Sequence, residues 1–132
     1  MPSTFSMEVS AIYMALCGIL LVVLALRVVR GRFSCRVGIG DGDNRELNRR
    51  IRVHGNAAEY MPMALLLLLA VENTLSSTWP VHALGSLLVV CRLLHAYGLG
   101  KSAGSSPPRF LGTAGTLTMI LLSAGIVLAN SF

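Results

Sequence analysis

The sequence is short of charge, and of acid above all. Six Asp and Glu stand against eleven Lys and Arg, and charged residues make up 13% of 132 positions. A soluble domain typically carries about 25%, so this chain lacks the polar surface to be one. Cysteine is scarce too. Cys17, Cys35 and Cys91 form no C-x-x-C pair and have no metal-like spacing. No disulfide scaffold and no metal are expected, and Cys17 and Cys91 read as buried apolar thiols. No Lys or Arg precedes Arg27. The charged leader of a cleavable signal peptide is therefore missing, and the first apolar run is expected to be retained.

Charge is also missing, or nearly so, over three long runs: Val9 to Leu26, Asn73 to Cys91 and Phe110 to Phe132. Each approaches the roughly 20 residues that cross a bilayer core as a helix. A fourth run, Arg49 to Val71, spans as well if it tolerates Glu59. Lipid permits helices or a closed barrel. The stretches Ala64 to Val71 and Leu117 to Val127, apolar nearly throughout, lack the alternation of barrel strands. The expected fold is an all-α, four-helix membrane bundle forming a single domain, with helices at about 7–30, 45–72, 79–98 and 109–130.

The basic residues set the orientation. Eight of the eleven lie between Arg27 and Arg52, and the others are Arg92, Lys101 and Arg109. This placement points to membrane topology and not to nucleic acid. By the positive-inside rule the two basic loops are cytoplasmic and both termini lie on the other side. Arg27, Arg30 and Arg32 read as anchors that snorkel to the headgroups, Arg27 being the deepest. Ser3 or Thr4 is available to cap the first helix, and Asp43 with Glu46 makes a capping box for the second. Asp41, Asp43 and Asn44 resemble part of a calcium loop but lack its further ligands. Pro62 is expected to kink the second helix, and Trp79 to mark an interface. Gly112, Gly115, Gly125 and Ala129 offer small surfaces for close packing of the fourth helix.

The most informative stretch is RRIRVHGNAAEYMP, residues 49–62. Its Arg49, Arg52, Asn56 and Glu59 recur at spacings of three and four, along one face of a helix. Tyr60 to Val71 carries no charge, so Glu59 is an ionisable group inside a membrane segment, where such groups face a wet cavity or a partner. The topology brings Arg52, Asn56, Glu59, Arg92, His95 and Arg109 to one leaflet. Each has a structural alternative: surface anchors for Arg52 and Arg109, an interhelical Glu59–Arg92 pair, a backbone contact for His95, an interhelical amide bond for Asn56. Together they suit an anionic ligand, because guanidinium groups bind carboxylates in a bidentate way. Glu59 would then receive an ammonium or hold an arginine.

The stretch GDGDNRELNRRIRVHGNAAEYMP, with CRLLHAYGLG in the third helix and PPRF at the start of the fourth, resembles the family of membrane-associated proteins in eicosanoid and glutathione metabolism (MAPEG), in a bacterial-type member. The motif R-x-H-x-N-x-x-E-x-x-P carries most of the resemblance. It implies a homotrimer with the second helix lining its core, in a membrane that is the bacterial inner membrane. It also implies a glutathione-dependent transferase or peroxidase acting on lipophilic electrophiles, with glutathione as co-substrate between subunits on the cytoplasmic side. Arg52, Asn56, Glu59, Arg92 and His95 would bind glutathione, and Arg109 would stabilise its thiolate, the nucleophilic form. Three positions depart from the glutathione-using pattern. Gly55 stands where an arginine is usual, Leu99 where a tyrosine is, and Phe110 where some members have serine. The other reading is a non-enzymatic membrane protein, a structural assembly or a small transporter. A small multidrug transporter would carry its key carboxylate in the first helix, and here the deep acid is in the second.

Overall fold

The computed structural model describes residues 5–101, 104 and 106–132. Four helices follow one another: α1 Glu8–Cys35, α2 Arg45–Thr74, α3 Trp79–Lys101 and α4 Pro107–Ala129. α1, α3 and α4 are long and apolar enough to cross a membrane. α2 falls short of that measure because its first half carries the polar stripe. It nevertheless packs against each of the other three and so completes the bundle. At 1.5 Å per residue its 30 residues run about 45 Å, longer than a roughly 30 Å hydrocarbon core. Its first turns therefore project at the basic end. α2 continues as helix through Pro62.

Large apolar side chains close the interior, with Leu47, Leu68, Leu88, Val71, Val81 and Met119 almost wholly buried. Ile19 and Val22 of α1 and Leu121 and Leu128 of α4 stay exposed, as lipid-facing residues should. Trp79 is exposed at the first residue of α3, where an interfacial aromatic is expected. Of the small residues in α4, Gly112 and Gly115 face α3, whereas a Cβ on Gly125 would meet open space and Ala129 is exposed. Gly112 lets the α3 backbone itself come close: a Cβ there would lie 2.5 Å from the Cys91 carbonyl oxygen and 2.6 Å from the His95 nitrogen.

Two helices, α1 and α3, run further at the basic side than expected. α1 runs on to Cys35, five residues past the expected end at 30, because its arginines are good helix formers and Gly31 packs against Leu47 and Arg50. It stops at Arg36, which takes a left-handed conformation (φ 54°, ψ 40°). α3 runs through Gly98 to Lys101 because the missing Cβ of Gly98 lets the start of α4 lie against it. A Cβ there would sit 2.6 Å from the Arg109 nitrogen.

The caps differ as well. Ser3 and Thr4 lie outside the described residues, and the α1 N-cap is Met7, with no side-chain bond. Its cap comes from another helix: the buried Glu72 carboxylate at the end of α2 accepts from Val9 N at 2.9 Å, Ser10 N at 2.7 Å and Ser6 Oγ at 3.1 Å. Asn73 adds a reciprocal pair with the Ser6 backbone. At α2 the cap is Asn44, which accepts from Leu47 N at 2.9 Å. The expected Asp43–Glu46 box does not form, because Asp43 sits in the left-handed region (φ 59°) and Glu46 pairs with Arg49 and Arg50. Arg32 is more than an anchor, since it donates to the Gly40 carbonyl at 2.7 Å and holds the loop between α1 and α2.

Candidate functional site

The chain reversals place the end of α1, the start of α2, the end of α3 and the start of α4 together. Arg50 donates to the Arg27 carbonyl and Arg49 to the Lys101 carbonyl across these ends, each at 3.4 Å. Residues far apart in sequence thus share one depth. Between α2, α3 and α4 there lies a cavity of about 160 Å³ lined by Asn48, Arg49, Arg52, Asn56, His95, Leu99 and Arg109.

Four of the six expected site residues, Arg52, Asn56, His95 and Arg109, line this cavity. α2 supplies the first two from successive turns. His95 comes from α3 and is buried. Arg109 comes from the first turn of α4, half-buried, with one guanidinium nitrogen 3.3 Å from the Gly104 carbonyl. Arg92 does not line the cavity. It lies behind it, 2% exposed, donating to Asn56 Oδ1 at 2.7 Å, Thr116 Oγ1 at 2.9 Å and the Gly112 carbonyl at 3.1 Å. The Tyr60 ring faces its guanidinium at 5.9 Å. Every one of those acceptors is neutral. The interhelical Glu59–Arg92 pair is absent among the described residues, because Glu59 projects from the uncovered side of α2.

This arrangement gives Asn56 a defined orientation. Its carbonyl oxygen is committed to a buried cation, which leaves its NH₂ as the group it can offer to the cavity. Arg52 and Glu59 have no side-chain partner among the described residues, and both are exposed. They belong to an uncovered face of α2 that also includes Met63 and Leu66. A Cβ on Gly55, within this face, would meet nothing within 4 Å. A charged pair left open on a membrane helix calls for a neighbouring chain or a ligand to cover it.

Sequence reasoning passed over three of the lining residues as site members. Arg49 already stands in the Arg49, Arg52, Asn56, Glu59 stripe but was not assigned to the ligand, and Asn48 lies four residues before Arg52, so the same periodicity reaches it. Leu99 follows His95 by four on the same helix face. Thr116, the partner of Arg92, carried no signal, being one threonine in an apolar helix.

A family model described as "MAPEG family" matches residues 10–129. Among curated proteins, the inner membrane protein YecN of Escherichia coli strain K12 is 47% identical over 90 residues, covering 68% of this chain and 69% of that protein. The same protein from Escherichia coli O6:H1 strain CFT073 matches to the same extent.

Proposed function

The chain belongs to the MAPEG family and is a multi-pass integral membrane protein, and from that premise we propose that it is a membrane-bound, glutathione-dependent transferase or peroxidase acting on lipophilic electrophiles. The observation that carries this reading is the polar cavity at the basic end, with three guanidinium groups (Arg49, Arg52, Arg109), the Asn56 amide and His95 around one opening. Glutathione carries two carboxylates, one ammonium and one thiol. The guanidinium groups suit its carboxylates, and Glu59, one turn beyond Asn56 on α2, suits its ammonium.

The size of the cavity supports a site shared between subunits. Ligand pockets run to roughly 300–1,000 Å³, and about 160 Å³ holds only part of a tripeptide. A homotrimer built on the uncovered face of α2 would cover Glu59 and Arg52 and supply the missing wall. The basic ends of the helices then face the cytoplasm of a bacterial inner membrane, with both termini outside. Lipophilic electrophiles reach such a site through the bilayer. In the transferase reaction the thiol loses its proton to solvent water, Arg109 stabilises the thiolate, and the sulfur forms a bond to the electrophilic carbon as the leaving group departs with the bonding pair.

Calorimetric titration of glutathione into the detergent-purified oligomer tests the reading. Arg52→Ala, Asn56→Ala and Glu59→Ala should each weaken binding at least about tenfold, since truncating one partner of a desolvated charged contact costs on the order of 2–5 kcal/mol. Arg30→Ala, an exposed residue away from the cavity, should change nothing. If wild type binds no glutathione at millimolar concentration, the transferase reading is wrong and a non-enzymatic assembly stands in its place.

A further inference from the structure

A second site lies on the lipid side of α1 and is independent of the glutathione reading. The C-terminal end of α1 and the loop after it form an open groove of about 390 Å³ lined by Val29, Arg32, Phe33, Arg36, Val37 and Gly38. Its floor is apolar and its rim carries two guanidinium groups. We infer that this groove binds an anionic phospholipid, its phosphate held by Arg32 and Arg36 and one acyl chain laid along Val22, Leu26, Val29 and Phe33.

Depth comes first. About 20 helical residues cross the hydrocarbon core, and counted from the start of α1 they end near Val29. Arg32, Arg36 and the loop therefore lie at headgroup level on the basic side, the leaflet where anionic lipids gather. Continuity comes second. Val22, Leu26, Val29 and Phe33 follow one another at spacings of four, three and four, and all are exposed, Phe33 by 80%. They form an apolar track along one face of α1 that leads into the groove.

The third observation is the conformation of Arg36. It closes α1 in the left-handed region (φ 54°), where glycine is the unstrained choice. A long cation there departs from the local rule, and such departures gather where a residue is used. The negative end of the α1 dipole does not oppose an anion strongly. The Arg36 and Val37 amides already satisfy the Arg32 carbonyl, and two full positive charges outweigh a helix end of about half a charge. Arg32 is pre-positioned by its bond to the Gly40 carbonyl. Of the two acids of the adjoining loop, Asp41 accepts from Asn48 of α2, and neither it nor Asp43 lines the groove.

Native mass spectrometry of the full chain from mild detergent tests this, with phosphatidylglycerol or phosphatidylcholine of identical acyl chains added. Wild type should retain phosphatidylglycerol preferentially. Arg36→Gly should lower that retention about fivefold, the worth of one arginine at a charged surface, while thermal stability holds or rises because the strain is gone. Phe33→Ser should lower retention of both lipids. Millimolar inorganic phosphate should leave retention unchanged. Equal retention of the two lipids, or no loss in Arg36→Gly, overturns the proposal. Displacement by inorganic phosphate also overturns it, since the site would then be one for a soluble anion.

Discussion

Arg92→Met would remove a buried cation whose acceptors are all neutral, and its effect follows from the contacts around it. Three hydrogen bonds from a charged donor contribute roughly 1.5–3 kcal/mol each. Against them stands the desolvation of a guanidinium with no acid beside it, several kcal/mol per ion. Methionine fills similar space, so these terms largely cancel. What remains is the fate of the acceptors. Thr116 Oγ1 still donates to the Gly112 carbonyl at 2.8 Å, so that pair keeps its bond. Asn56 Oδ1 loses its partner, which costs about 1–3 kcal/mol, and that is the expected destabilisation. Asn56→Ala should lose a similar amount, because it leaves the Arg92 Nη1 group facing nothing. The double variant should be little worse than either single one, giving a coupling energy of about 1–3 kcal/mol. Reversible unfolding of the four proteins in mixed micelles measures it. Single effects that add to within about 0.5 kcal/mol would refute the inference that Arg92 acts through Asn56.

Other consequences can be measured separately. Glu72→Ala should destabilise the fold by about 3 kcal/mol, because two buried amides at the start of α1 lose a charged acceptor. Faster hydrogen exchange at Val9 and Ser10 would report it. Gly112→Ala should cost about 1–3 kcal/mol by forcing α3 and α4 apart, visible as a lowered midpoint in thermal unfolding. Ile39→Cys in a Cys35→Ser background should react with an impermeant thiol reagent only from the cytoplasmic side, and a cysteine replacing Phe132 only from the opposite side. Labelling of both positions from one side would contradict the orientation.

Much of the fold was legible because membrane helices announce themselves by length and by missing charge. The number of helices, their order and the antiparallel turns followed from the apolar runs and the short connections. The ends did not. Arg30 to Cys35 reads as the margin of a span, yet arginine propagates a helix well, and the terminator is one residue in an unusual backbone conformation. Glu72 reads as the end of α2, and its role as cap of α1 depends on two helices meeting 63 residues apart in sequence. The site was half legible. The α2 stripe showed itself by period, and shared depth added His95 and Arg109. Nothing local could show that Arg92 faces inward to Asn56 and Thr116, or that Glu59 faces away from its own subunit. Both depend on how α2 is rotated against α3 and α4, which the long apolar faces of those helices leave open.

The central claim, a polar cavity that binds glutathione and activates its thiol beside Arg109, is tested most directly by thiolate absorbance. Glutathione is titrated at neutral pH into the purified oligomer, wild type and Arg109→Ala, and the ultraviolet thiolate signal is followed. A free thiol near pKa 8.5 is mostly protonated there. Wild type should show saturable thiolate formation. Arg109→Ala should bind glutathione with an affinity within a few-fold of wild type yet give little of the signal, because the interaction it loses strengthens only as the sulfur becomes anionic. Saturable binding without thiolate in wild type, or equal thiolate in the two proteins, would contradict the role of Arg109.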